Sequence, residues 1–222
     1  MKPVRKMLPS LCALAAVLAM LSACSGSKGG DGSKDRNDAP IGWSTCNALF
    51  GADRIDALQD AMGEGTLETL NSSIPVDELM SGRADLTRRW EPGKELSLRT
   101  RDHPCELGVD NTNRRFNSYV TWALETPEKI KAGKSGSGWD PVGSDVYVKR
   151  EDAGLHFAAV FPCKIKDSHE SQEADLPFEV ETEVKNVPDF DTELLGEMTA
   201  QFVRALAEGL PCTNDLHVPA AL

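Results

Sequence analysis

The residue with the clearest chemistry in this chain is Cys24, which follows Leu21-Ser22-Ala23. Leu-Ser-Ala-Cys matches the lipobox at every position, a pattern in which the bond before the cysteine is cut and the thiol acylated. A basic start (Lys2, Arg5, Lys6) and an apolar run from Met7 to Leu21, broken only by Pro9, Ser10 and Cys12, stand ahead of it. That run is shorter than the ~20 apolar residues a membrane-spanning helix needs, and it has the length and flanks of a secretory leader. Residues 1–23 are therefore expected to be a lipoprotein signal peptide and Cys24 the lipidation site. The anchor would be a palmitate-bearing lipid holding the chain to the cell membrane on its extracytoplasmic, secreted face.

The remaining cysteines point to a second chemistry. Of the six in the chain, Cys12 lies in the leader and Cys24 at the cut, which leaves Cys46, Cys105, Cys163 and Cys212. An even number in a chain addressed to an oxidising compartment predicts two disulfide bonds, with three possible connectivities. None of the four belongs to a C-x-x-C pair, and His103, His156, His169 and His217 are scattered, so neither a zinc site nor a redox dithiol is expected. His103 stands close to Cys105, but a disulfide-bonded sulfur offers no thiolate to tune.

Motifs for catalysis are missing from the sequence. It contains no G-x-S-x-G elbow, H-E-x-x-H or P-loop, and Gly133–Gly138 (GKSGSG) lacks the order of a phosphate cradle. No catalytic residue, metal or cofactor is expected. Arg88-Arg89-Trp90 and Arg114-Arg115-Phe116 set cations beside aromatics and are candidates for a ligand or partner contact. The net charge is −11; without the leader, 21 basic residues face 35 acidic ones, near −14. Such a balance argues against nucleic acid and against attraction to anionic headgroups.

Residues 24–40 are the lipidated cysteine and a Gly/Ser-rich, charged stretch with almost nothing apolar, a flexible tether. Residues 41–222 are then long enough to bury a core as one α+β domain, with a possible division into two packed halves near 126–143. Ile55, Leu58 and Met62 fall on one face of a helix that Gly63 stops. Leu194, Leu195, Met198, Phe202 and Leu206 mark a longer helix, capped by Asp189 or Asp191 and ended by Gly209 and Pro211. Thr66–Leu70 and Val76–Met80 each suggest a turn or two of helix. Strand patterns run over Glu95–Thr100, Phe116–Leu124, Asp145–Lys149 and Leu155–Cys163, the last two joined by a turn at Asp152-Ala153-Gly154. In the clearest strand, Phe178, Val180, Thr182 and Val184 alternate with Glu179, Glu181, Glu183 and Lys185, predicting one buried face and one water-facing, acidic face. Residues 126–143 and 167–175 read as loops. The expected architecture is an antiparallel sheet of about five strands covered by two main helices. The simplest disulfide scheme ties each helix end to the sheet, Cys46 to Cys105 and Cys163 to Cys212.

The lipobox, the tether and the segment Thr45-Cys46-Asn47-Ala48-Leu49-Phe50-Gly51, followed by a short helix ending in Met62-Gly63, resemble the opening of an actinobacterial (Streptomyces-like) secreted lipoprotein family of unknown function. Cys105 fits the later cysteine of that family, while Glu106-Leu107-Gly108 stand where its tryptophan would be. The resemblance implies a membrane-tethered domain and supplies no catalytic residues. Together these readings predict a non-catalytic binding or accessory module of the cell envelope, with an unknown envelope protein or small ligand as partner. The alternatives are a carrier or sensor of small apolar ligands, marked by an enclosed cavity, and an envelope hydrolase.

Overall fold

Leu195, Met198, Phe202 and Leu206 are fully buried along one side of the helix Thr192–Gly209, and the rest of the domain is laid out around that side. The computed structural model describes residues 41–70, 74–93, 100–134, 136 and 138–222. The expected leader, Cys24, the expected tether and most of the strand expected over Glu95–Thr100 lie outside the described residues. In chain order the helices are α1 (Ile41–Phe50), α2 (Ala52–Ala61), α3 (Val76–Arg88), α4 (Pro127–Lys131), α5 (Gln172–Asp175) and α6 (Thr192–Gly209). The strands are β1 (Leu67–Thr69), β2 (Glu106–Val109), β3 (Arg115–Trp122), β4 (Trp139–Val142), β5 (Val146–Glu151), β6 (His156–Phe161) and β7 (Phe178–Lys185).

All seven strands form one antiparallel sheet in the order β1-β2-β3-β7-β6-β5-β4. The first three make one meander and the last four a second, and the two join where β3 lies against β7 from Arg115–Lys185 to Trp122–Phe178. Directly opposed residues of an antiparallel pair share a face. Thr182 meets Thr199 of α6, so the face carrying Phe178, Val180, Thr182 and Val184 looks to the helices. Phe116, Val120 and Trp122 of β3 and Phe157, Ala159 and Phe161 of β6 join it by register, all buried. Phe50 of α1 closes the layer, 5.3 Å from Phe116 and 5.2 Å from Phe202 between ring centroids.

Local chemistry fixes the ends. Asp191 caps α6 by accepting from the amides of Glu193 and Leu194, at 2.9 and 3.3 Å, and the chain turns extended at Leu210 before Pro211. Thr126 caps α4 in the same way, with Pro127 at the first helical position. Gly51 and Gly63, both at φ +83°, bracket α2 in a conformation that a side chain would resist. Of the three connectivities the structure forms Cys46–Cys105 and Cys163–Cys212, so one bridge ties α1 to the start of β2 and the other ties the chain after β6 to the chain after α6.

Several expectations are corrected. The sheet has seven strands where about five were expected, and the helix layer has α1, α2, α3 and α6 where two main helices were expected. Thr66–Leu70 holds a strand: Leu67 pairs with Val109, and its amide donates to Gln59 Oε1 at 2.7 Å, partners that local periodicity cannot reveal. Val76–Met80 is only the start of α3, whose buried side includes Arg83 and Thr87 and so breaks the apolar pattern. Residues 126–143 contain α4 and β4; the latter is an edge strand, the position that tolerates Pro141. Gln172–Asp175 is a short helix inside the expected loop.

Candidate functional site

The structure buries Cys46, Cys105 and Cys163 in the core, packs Cys212 against it and leaves Cys24 outside the described residues. The arginine–aromatic motifs turn out to be structural. Arg88 pairs with Asp85 at 2.7 Å and donates to the Lys166 carbonyl at 3.1 Å, while Trp90 is buried edge-on to His169. The Arg114 guanidinium holds the carbonyls of Met62 and Glu64, Arg115 holds those of Thr112 and Arg114, and Phe116 lies in the core. The described residues of Gly133–Gly138 form a turn and loop with no strand leading into it.

The chemistry that sequence reading missed lies on the sheet face turned away from the helices. Strand register sets three rows of side chains across it. Glu151, His156, Glu183 and Asn117 form the first, Lys149, Ala158, Glu181 and Tyr119 the second, and Tyr147, Val160, Glu179 and Thr121 the third. This face was expected to be freely water-facing, yet Glu179, Glu181 and Glu183 are all half-buried, because neighbouring side chains lie over them. His156 stands 3.2 Å from Glu151 and 3.0 Å from Glu181. Arg101 bonds Glu181 and lies over the Tyr119 ring at 3.9 Å, and His103 meets that ring edge-on at 4.5 Å. Tyr119 Oη donates to Glu183 at 2.7 Å, Asn117 donates to the same oxygen at 2.9 Å, and Lys185 reaches it at 2.8 Å.

These contacts move the titrating groups in different directions. Burial pushes Glu179 up to about 7, helped by the nearby Glu181 carboxylate. Glu183 is also pushed up by burial, but hydrogen bonds from Lys185, Tyr119 and Asn117 outweigh this and hold it below the usual carboxylate range. Tyr119 is driven well above the usual phenol range, first by burial and then by its bond to Glu183. The face is thus a network in which Glu181 and Glu183 are paired and Glu179 is held toward its protonated form by burial. The predicted three-residue turn at Asp152–Gly154 would have put Glu151 across from Leu155; the structure places it across from His156, one residue further on, and that slip in register hid the network from the sequence.

The helix side of the sheet is packed solid with Phe50, Phe116, Phe161, Phe178 and Phe202. The recesses lie outside that core. One, about 510 Å³, is an open groove between α1, α3 and α6, floored by Ala48, Met80, Ala84, Ala205 and Gly209, with Asp77, Ser81 and Asp85 exposed along its edge. A polar recess of about 270 Å³ sits between α4 and α5 beside Tyr147, over whose ring Lys131 Nζ stands at 5.8 Å. A third, about 370 Å³, has Asp60, Asp191, Glu193 and Glu197 around it; two of these acids belong to the cap and first turn of α6, where negative charge favours the helix.

Among the described residues no three His, Cys, Asp or Glu side chains converge as a metal site, and no helix is long and apolar enough to cross a membrane. Comparison with family models, curated proteins and solved structures gives no match.

Proposed function

We propose that this chain is a lipoprotein of the actinobacterial secreted type, anchored through Cys24 to the outer face of the cell membrane, and that its domain is a non-catalytic binding or accessory module of the cell envelope. The observation that carries this reading is the contrast between a solid core and an apolar groove of about 510 Å³ that opens outward between α1, α3 and α6. A carrier of small apolar ligands would enclose its cargo, whereas this groove is open along α3. The pairing on the sheet face also favours binding over hydrolysis: Glu181, Glu183 and His156 are committed to neighbours and none stands beside a nucleophile.

The lipobox and the polar tether support the anchor, and two disulfides suit an oxidising compartment. Stable attachment needs at least two acyl chains, which a diacylglycerol thioether on Cys24 supplies. Labelled palmitate is expected to be incorporated by the full chain and lost in Cys24→Ala; incorporation that survives the substitution would refute the anchor. For the module, a photocrosslinker at Ser81 in cells should trap a discrete envelope partner, and Asp77→Trp should block the trapping by filling the groove. Turnover of an envelope substrate that disappears on replacing a single residue would overturn the non-catalytic reading.

A further inference from the structure

His156 opens β6 on the sheet face away from the helices, with Glu151 opposite it on β5 and Glu183 opposite it on β7. Its Nδ1 is 3.2 Å from Glu151 Oε2 and its Nε2 is 3.0 Å from Glu181 Oε2. A neutral imidazole has one N–H, so it can donate to one of these carboxylates and must turn a lone pair toward the other. Only the imidazolium satisfies both. The three side chains are unequally held. Glu181 is 14% exposed and its Oε2 also receives Arg101, whereas Glu151 is 44% exposed and its other oxygen is already paired with Lys149 at 2.6 Å.

The turn that follows Glu151 is under conformational load. Asp152, Ala153 and Gly154 take φ of +51°, +56° and +89° in succession, and the first two carry side chains that disfavour this region. The turn is buttressed on one side by α6, since a Cβ on Gly154 would come within 3.0 Å of Thr192 Cγ2. It is held on another by β7, where the Val184 amide donates to the Leu155 carbonyl at 2.9 Å. The Glu151–His156 contact closes the third side.

We propose that His156 is a proton-operated clamp: charged, it ties β5 to β7 through Glu151 and Glu181, and on losing its proton it lets Glu151 go and loosens the turn from Glu151 to Leu155. Glu151 is the partner released because Arg101 keeps Glu181 in place while Lys149 and water can take Glu151. The charged groups around the ring are Glu151 with Lys149 on β5, Glu179, Glu181 and Glu183 on β7, and Arg101 through Glu181. Glu183 is occupied by Asn117, Tyr119 and Lys185 and is no substitute acceptor. The hydrogen bond to Glu181, opposed by burial and supported by the Glu151 charge, raises the affinity of His156 for its proton. The clamp is therefore closed through the ordinary histidine range and opens on its alkaline side.

Nitrogen-15 NMR of the full chain tests this directly. His156 should show both ring nitrogens protonated at the ordinary histidine value of 6.5 and a titration midpoint above it. The amide signals of Ala153, Gly154 and Leu155 should move with the same midpoint. Glu151→Gln should lower that midpoint, and His156→Gln should abolish the pH response of the turn. A His156 midpoint at or below 6.5, or a turn that still responds with the same midpoint in His156→Gln, overturns the proposal.

Discussion

Thr182 of β7 and Thr199 of α6 meet hydroxyl to hydroxyl at 2.5 Å in a fully buried position between sheet and helix. Thr199 Oγ1 donates to the Leu195 carbonyl at 2.7 Å, so Thr182 is the donor to Thr199. The pair is a polar stitch in an apolar layer, and its worth depends on being complete. Thr199→Val should leave the Thr182 hydroxyl without an acceptor and cost ~1–3 kcal/mol, whereas replacing both by Val should be close to neutral. Urea unfolding midpoints of the two single variants and the double variant would show this non-additivity; equal, additive losses would contradict it.

Arg83 is a second buried polar group with a larger stake. Its side chain is 1% exposed, and its Nε donates to Asp102 at 2.7 Å while its Nη2 reaches the carbonyls of Thr100 and Val120 at 2.7 and 2.8 Å. The guanidinium also lies 4.6 Å from the centre of the Trp122 ring, and its Nη1 has no hydrogen-bond partner among the described residues. Burial lowers the pKa of Arg83 and the Asp102 carboxylate opposes that shift. Asp102→Ala should therefore cost ~3–5 kcal/mol by leaving a buried cation uncompensated. A Tm loss confined to that of a surface substitution would show that the pair is dispensable.

The pH dependence of stability follows from the sheet face. Glu179 binds its proton more tightly folded, at about 7, than at its ordinary value of 4.5, so its contribution is full below 4.5 and is lost as pH rises to about 7. His156 acts in the same direction on the alkaline side of 6.5, and Glu183, held low, acts oppositely, contributing above 4.5 and losing its contribution in acid. Glu179→Gln should thus stabilise the domain at pH 8 by ~2 kcal/mol, with solvent screening allowed for, and change little at pH 4. Thermal melts at the two pH values check the sign.

Removing either disulfide by paired serine substitution should be costly. With sequence separations of 59 for Cys46–Cys105 and 49 for Cys163–Cys212, chain entropy assigns ~4 kcal/mol to each. The chain without the Cys163–Cys212 bridge should additionally lose order after α6, where Thr213 and Asn214 hold Lys164 by hydrogen bonds of 2.7–3.1 Å. Reducing and non-reducing melts, with hydrogen exchange over 211–216, measure both effects.

How far the sequence disclosed this molecule depended on how locally each element is encoded. The α6 stripe and the β7 alternation are written in consecutive residues and are found where they were read. The elements missed are those whose partners are distant or whose buried side is polar. Cys46 and Thr45 of α1 are buried beside a disulfide and a hydrogen bond to the Ile74 carbonyl, and α3 hides an arginine. The charged network was the least legible. It is assembled from four strands and from Arg101, and no window of sequence contains more than a fragment of it.

The two disulfides have one further consequence. Each closes within its own meander, so no covalent bond other than the backbone joins the segment ending at α4 to the segment beginning at β4. A single cleavage between Lys131 and Trp139 would yield two oxidised fragments, held together by the β3–β7 ladder and by α1 against α6. The domain is in this sense already divided into complementing parts. Neither fragment could carry the other to the membrane by a chemical bond, and a lipid on Cys24 would retain the second one only for as long as the sheet stayed whole.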